Sequence, residues 1–315
     1  MGPHPAVASI RSAVRMALRD RSNPVLVACS GGADSLALAA ATAFEAPRAG
    51  VAAGLVTVDH GLQAGSGEQA KRVAAIGYEL GLDPVEIVAV DVGTHGGPEA
   101  AARTARYSAL DSAAQAWDAD VLLGHTLDDQ AETVLLGLGR GSGPRSIAGM
   151  RVIDGRYLRP FLGVRRTTTE AACAALGLEP WADPHNTDPA YQRARLRAEV
   201  LPLLEDVLQG GVAEALARTA ELVQDDLDAL DAAAAETRGV DVEILAALPK
   251  AIRARVLRTW AVAGGVTALT AEHLRELDRL VSDWHGQGPV DLPGGLRARR
   301  ASETLELIPP DNPGD

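Results

Sequence analysis

Two short runs of this chain combine the residue types that bind anions and handle protons. Residues 30–35 read Ser-Gly-Gly-Ala-Asp-Ser, and further along Asp128, Asp129 and Glu132 lie three, four and seven positions after His125. Glycines let a backbone approach a ligand closely, and the first amides of a helix are unpartnered at the positive end of its dipole, so the first run suits phosphate. Its donors would be the amides and hydroxyls of Ser30, Gly31, Gly32, Ala33 and Ser35. Asp34, inside the same run, would repel phosphate unless a divalent cation lay between them, which makes it a candidate Mg2+ ligand. A serine cap with an incidental glycine turn is the plainer reading of these six residues. His125 and the three acids would share one face if they lay on one helix, although acids in a first helical turn are also what the dipole alone selects. Commoner phosphate loops are excluded: no G-x-x-x-x-G-K-[S/T] occurs, and the chain has only two lysines, Lys71 and Lys250, neither preceded by glycine.

The elements that must position these groups are legible as a pattern. Apolar runs at 25–29, 51–58, 85–90 and 120–124 alternate with helical patterns near 35–46, 66–80, 98–117 and 128–137. Such alternation predicts an α/β fold, a parallel twisted sheet with helices on both faces. Ligands in these sheets gather beyond the carboxyl ends of the strands. The loop at 30–35, Asp59-His60 and His125 each directly follow a predicted strand. Beyond residue 160 helical patterns dominate, near 166–177 and 193–209, with Gly210-Gly211 as the candidate linker. The expected division is a catalytic domain at 1–210 and a smaller α+β domain at 211–315. Its first helix, 213–236, holds seven acids and one arginine and reads as a solvated spacer.

Composition limits the classes available. Two cysteines, Cys29 and Cys173, with no C-x-x-C, exclude a disulfide framework and favour a reducing cytoplasm. No apolar run approaches the ~20 residues of a membrane span, so no membrane association is expected. A net charge of −12 argues against a polyanionic partner, yet residues 140–166 hold seven arginines against one acid, Asp154. With screening over about 8 Å, such a patch governs local docking. A solvated arginine-rich surface is the bland account of it. The oligomeric state is open between monomer and homodimer.

The SGGADS run matches the SGGxDS loop of the PP-loop ATP pyrophosphatases, which split ATP between its α- and β-phosphates. That loop alone fits GMP synthetase, NAD synthetase and tRNA thiolases as well. Residues 125–143, HTLDDQAETVLLGLGRGSG, resemble the HxxDDQAET…RGSG segment of the tRNA(Ile)-lysidine synthases and related thiolases. Val58-Asp59-His60-Gly61-Leu62, Arg106-Tyr107, Arg159-Pro160-Phe161-Leu162, Asp183-Pro184 with Asn186, and Arg193-x-Arg195-x-Arg197 before Leu201-Pro202 follow in that family's order. The chain is thus similar to the tRNA(Ile)-lysidine synthases over most of residues 30–202, which implies a Rossmann-like PP-loop ATPase domain.

The resemblance implies ATP and Mg2+ as cofactors, with L-lysine and a tRNA(Ile) bearing a CAU anticodon as substrates. The wobble cytidine would be adenylated on its C2 carbonyl oxygen, and the ε-amine of lysine would then attack C2 and displace AMP. That amine is protonated at neutral pH, so the site must attract an ammonium and then remove a proton, and carboxylates suit both steps. Asp129 and Glu132, with Asp128 in support, are assigned to lysine or metal, and His125 to nucleotide or proton transfer. Asp59 and His60 suit base or ribose, with a surface strand end as the alternative for His60. Arg106 suits phosphate, and Arg140, Ser142, Arg145, Arg193, Arg195 and Arg197 suit RNA or phosphate. Spacing two spreads the last three around a helix, which leaves one for a structural ion pair. One departure is Ala194, where the family's pattern has asparagine. Lys250, Arg253, Arg255, Arg258, Arg297, Arg299 and Arg300 would let the C-terminal domain grip tRNA. The competing reading is a PP-loop tRNA thiolase, which typically carries cysteine pairs or an iron–sulfur cluster; a non-enzymatic RNA-binding module would not need Asp34 or the acids.

Overall fold

The protein's structure, a computed structural model, describes residues 2–61, 65–93, 98–141, 143–181 and 191–309. Two compact units divide the chain: Met1–Gly139 with Gly149–Ala220, and Arg140–Ala148 with Glu221–Asp315. In the first unit the elements run α1 (Pro5–Leu18), β1 (Val25–Ala28), α2 (Ala33–Ala49), β2 (Ala53–Asp59), α3 (Ser66–Glu79), β3 (Val85–Ala89), α4 (Pro98–Ala116), β4 (Asp120–Leu123) and α5 (Leu127–Arg140). Helix α6 (Pro144–Ile147) falls in the second unit; after it, the two-residue strands β5 (Ile153–Asp154) and β6 (Tyr157–Leu158) form a hairpin on the edge of the first unit's sheet. Next come α7 (Arg166–Leu176), then α8 (Gln192–Arg195), a π turn over Leu196–Val200 and α9 (Leu201–Val207).

The sheet order is β3-β2-β1-β4-β6-β5, parallel except for β5. The expected α/β architecture is therefore present. Strand alternation divides the core. Val25, Val27, Leu55 and Leu122 face α1, α2 and α7, where Ile10, Val14, Leu18, Leu36, Leu38, Phe161 and Cys173 are buried with them. Leu26, Val56, Val121 and Leu123 face the opposite way, against Leu110, Ala113 and Ala114 of α4. The pattern reading missed α1, whose Ile10, Val14 and Leu18 recur at helical spacing. Each such side chain contributes about 1.5–3 kcal/mol when buried. Strands β2 and β3 lie to one side of β1 and β4 to the other. The chain reverses direction across the sheet there, so the crevice beyond the carboxyl ends of β1 and β4 is the position where a ligand site is expected.

Gly210 and Gly211, both at positive φ, make the turn from α9 into α10 (Val212–Ala235). Ala213, Leu216 and Ala217 just after it pack with Leu127, Ala131 and Leu201, all within the first unit. In the second unit α11 (Val242–Ala247), α12 (Lys250–Ala263) and α13 (Ala271–Ser282) accompany an antiparallel sheet of β7 (Val290–Asp291), β8 (Arg297–Ala301) and β9 (Thr304–Ile308). Leu245, Leu257, Leu277, Leu280 and Ala298 form its core.

Candidate active site

On the β1 side of the crevice, backbone geometry dictates the glycines. Gly31 has φ +88°, and a Cβ there would stand 2.4 Å from Gln69 Nε2 and 2.9 Å from Val73 Cγ2. The Trp181 amide donates to its carbonyl at 2.9 Å. Gly32 caps α2 without a side-chain hydrogen bond, so the first-turn amides are left for a ligand. The hydroxyl of Ser35 is buried and holds the loop closed: it accepts from the Ser30 amide at 3.2 Å and donates to the Gly32 carbonyl at 3.0 Å. Ser30 is exposed, which leaves its hydroxyl and the helix amides as phosphate donors.

On the β4 side, Gly124 lets the strand end abut the first turn of α2: a Cβ there would meet the Asp34 carbonyl group and the Ser35 nitrogen at 3.1–3.2 Å. Helix α5 begins at Leu127, so His125 precedes it and does not share a helical face with the acids. Asp129 reaches back to Thr126, accepting from its amide and its hydroxyl at 2.8 Å each, while its own amide donates to that hydroxyl at 3.4 Å. This reciprocal arrangement is a capping box. Asp128 turns to α7, accepting from the Arg166 amide at 2.7 Å and pairing with Arg165 at 3.1 Å. It anchors the helix start by charge and hydrogen bond.

The centre of the site is an arginine that sequence reasoning assigned only to a basic surface. The Arg166 guanidinium lies 3.2 Å from Asp34, 2.6 Å from Asp129 and 3.6 Å from Glu132. Asp34 also takes a hydrogen bond from the Thr169 hydroxyl. Glu132 is fully buried and faces Arg197 with contacts of 2.9 and 3.3 Å, with Arg193 at 3.9 Å. One signal existed in the sequence: arginine at the first position of a helix opposes the dipole, so something other than the helix had to hold it.

The electrostatics follow from burial and these pairings. Burial pushes the Asp34 carboxyl above its ordinary range, Thr169 and Arg166 pull against that, and neighbouring Asp129 adds to the rise. Burial also works to raise Asp129, but Arg166 and the Thr126 amide outweigh it, and the group sits below the usual range. His125 is lowered to about 4 by burial, which with Arg159, Arg103 and Arg193 overcomes the opposing pull of Asp129. It is therefore a neutral imidazole, and its Nδ1 is buried without a hydrogen-bond partner. His60 is likewise lowered, by burial and then Arg106, and has an unpartnered buried Nδ1. Arg106 Nε meets His60 Nε2 at 3.5 Å, beyond β2. Asp59 is occupied locally, accepting from the Gly61 amide at 3.0 Å.

The arginine-rich run is less of a free surface than its charge count implies. Arg145 pairs with Asp231 at 2.6 Å. Arg159 is buried and donates to the Arg151 carbonyl at 2.8 Å. Arg165 contacts Asp128, Glu205 and Glu214. Arg193 and Arg197 face Glu132, whereas Arg195 is exposed and pairs with Glu199 at 2.9 Å. Arg140 lies exposed at the end of α5. In the second unit Arg253 is buried against Asp278 at 2.6 Å, Arg255 pairs with Asp231 and Arg299 with Glu306. Ala194 is buried on α8. Leu62, Ser142, Asp183, Pro184 and Asn186 lie outside the described residues.

Comparison with known proteins agrees with this layout. Residues 6–204 match the family described as the PP-loop domain, and residues 241–306 match the TilS substrate binding domain. A tRNA(Ile)-lysidine synthase of Thermobifida fusca is 61% identical over 95% of this chain and 96% of its own length. Proteins of the same name from Streptomyces coelicolor and Mycobacterium tuberculosis are 55% and 52% identical, covering 98% and 94% of this chain and 99% and 93% of their own lengths. Among solved structures, a U34-tRNA thiolase of Methanococcus maripaludis with its [4Fe-4S] cluster superposes with a TM-score of 0.58 at 19% identity, over 70% of this chain and 80% of that one. That likeness concerns the fold alone. Among the described residues no helix is long and apolar enough to cross a membrane.

Proposed function

The chain belongs to the tRNA(Ile)-lysidine synthases, and on that premise we propose that it joins free L-lysine to C2 of the wobble cytidine in a CAU-anticodon tRNA(Ile) in the cytoplasm. The reaction would pass through an adenylated tRNA and release AMP and pyrophosphate. The observation that carries this reading is the meeting, at one crevice, of uncapped helix amides on the β1 side, the half-buried carboxylate of Asp34 and the buried carboxylates of Asp129 and Glu132.

The amides of the first turn of α2 and the Ser30 hydroxyl would bind ATP phosphates, where the helix dipole favours negative charge. Asp34 stands at that turn as a single carboxylate, and no cluster of three metal-ligating side chains occurs among the described residues. Such a donor set fits Mg2+ shared with phosphate rather than a cage made by the protein, and the ion would supply charge neutralisation there. Asp129 and Glu132 would attract the substrate ammonium and accept its proton. His125 is neutral at physiological pH, and its free Nδ1 suits a hydrogen bond to nucleotide or cytosine. His60 and Arg106 would meet the nucleotide beyond β2. Both cysteines are buried with thiols raised by burial, which disfavours thiolate chemistry of the thiolase kind.

Incubation with ATP, labelled lysine and tRNA transcripts tests the reading. Lysidine should appear on nucleoside analysis of the isoleucine transcript, with tRNA-dependent release of AMP and pyrophosphate. Asp34→Ala should abolish product while leaving the far-UV circular dichroism unchanged. ADP and orthophosphate as products would remove the PP-loop chemistry.

A further inference from the structure

Three carboxylates, Asp34, Asp129 and Glu132, stand opposite three guanidiniums, Arg166, Arg193 and Arg197. Among the described residues these charges balance before any substrate arrives. A lysine ammonium added to them would bring one uncompensated positive charge into a buried place, where such a charge is costly. The cheaper route keeps the count constant, with one resident cation leaving as another enters.

Position, not grip, points to the cation that gives way: Arg193 is held more loosely, at 3.9 Å from Glu132, but Arg166 is the one that contacts all three acids. Arg197 grips Glu132 with two contacts, 2.9 and 3.3 Å, and reaches Asp129 only at 3.5 Å. Arg166 is shared among all three acids, with one short contact, 2.6 Å to Asp129, and two longer ones of 3.2 and 3.6 Å. It lies between Asp34 of the phosphate loop and the acids of α5. Its backbone is held by Asp128 at 2.7 Å, so the side chain can swing while α7 stays in place. An independent sign of an incoming polar group is the buried His125 Nδ1, unpartnered beside Asp129.

We propose that Arg166 is a displaceable internal counter-ion, occupying between Asp129 and Glu132 the place that the ε-ammonium of lysine takes during the reaction. The proposal rests on the lysine-ligating function above and makes Arg166 a positioning residue. Lysine binding is then an exchange of cations, and the resident arginine weakens it.

Calorimetric titration with L-lysine, in parallel with steady-state kinetics, tests this. Arg166→Gln should bind lysine at least about tenfold more tightly than the parent while kcat falls, a split that a merely structural role would not produce. L-norleucine, which lacks the ε-ammonium, should show no such gain, and Arg166→Lys should restore the parental lysine affinity. Unchanged or weaker lysine binding by a folded Arg166→Gln protein would overturn the exchange. Should that variant fail to fold, a crystal structure of the parent with lysine decides: the Arg166 contact to Asp129 should be broken, and its persistence would overturn the proposal. A parent protein that neither binds lysine nor makes lysidine sinks both readings, whereas one that does both without displacing Arg166 sinks the exchange alone.

Discussion

At the crevice, Asp34, Asp129 and His125 are shifted by burial and by their neighbours, and those shifts are measurable. His125 titrates in the folded protein near 4. An unfolded chain returns it to roughly 6.5, so between these values the unfolded state binds the extra proton. The stability this group contributes is complete above about 6.5 and is lost as pH falls toward 4, by at most ~3 kcal/mol. Urea unfolding at pH 7 and pH 5 should show a loss that is smaller in His125→Asn; an equal loss in both proteins would mean that His125 is already protonated when folded. Glu132→Ala leaves Arg197 and Arg166 short of an acid. It should cost about 3 kcal/mol, the low end for a buried pair because the Arg197 side chain is 34% exposed. Glu132→Gln, which keeps the hydrogen-bonding shape, should cost less. The acids were legible as candidates because they stand together in one motif. Their partners were not: Arg166 and Asp34 are 132 positions apart, and only folding shows which guanidinium faces which carboxylate.

Helices and strands were readable where a local period or a turn residue announced them, as in β1, α2, β4 and α5. The hairpin of β5 and β6 escaped because two-residue strands carry no period, and α1 because the arginines set between its apolar positions in sequence masked a stripe that is continuous on the helix. The helix expected near 128–137 runs Leu127–Arg140, and because Thr126 caps it, His125 falls outside the helix and off the face of the acids. Gly124 is a close joint between α2 and the end of β4 at the site. Gly124→Ala should push the first turn of α2 off β4, raising the ATP dissociation constant at least about tenfold while the thermal midpoint falls by only a few degrees. Equal ATP binding in that variant would show that the abutment of α2 on β4 is immaterial to the phosphate site.

Among the described residues, the arginines are paired with acids more than their clustering implied. Salt dependence of tRNA affinity can separate arginines that meet phosphate from those already neutralised. Arg156 is exposed, and replacing it with alanine should lower the log–log slope by about 0.7–0.9 if it meets RNA. Arg145→Ala and Arg195→Ala should leave the slope nearly unchanged, because Asp231 and Glu199 already hold those side chains. The choice of arginine over lysine has one more consequence. Of the 30 basic residues only Lys71 and Lys250 carry an amine; the first is exposed and paired with Glu68, and the second belongs to the other unit. A guanidinium stays protonated throughout the physiological range and is no nucleophile. On the proposed reaction, an activated cytidine would therefore face in Arg166, Arg193 and Arg197 cations that cannot capture it.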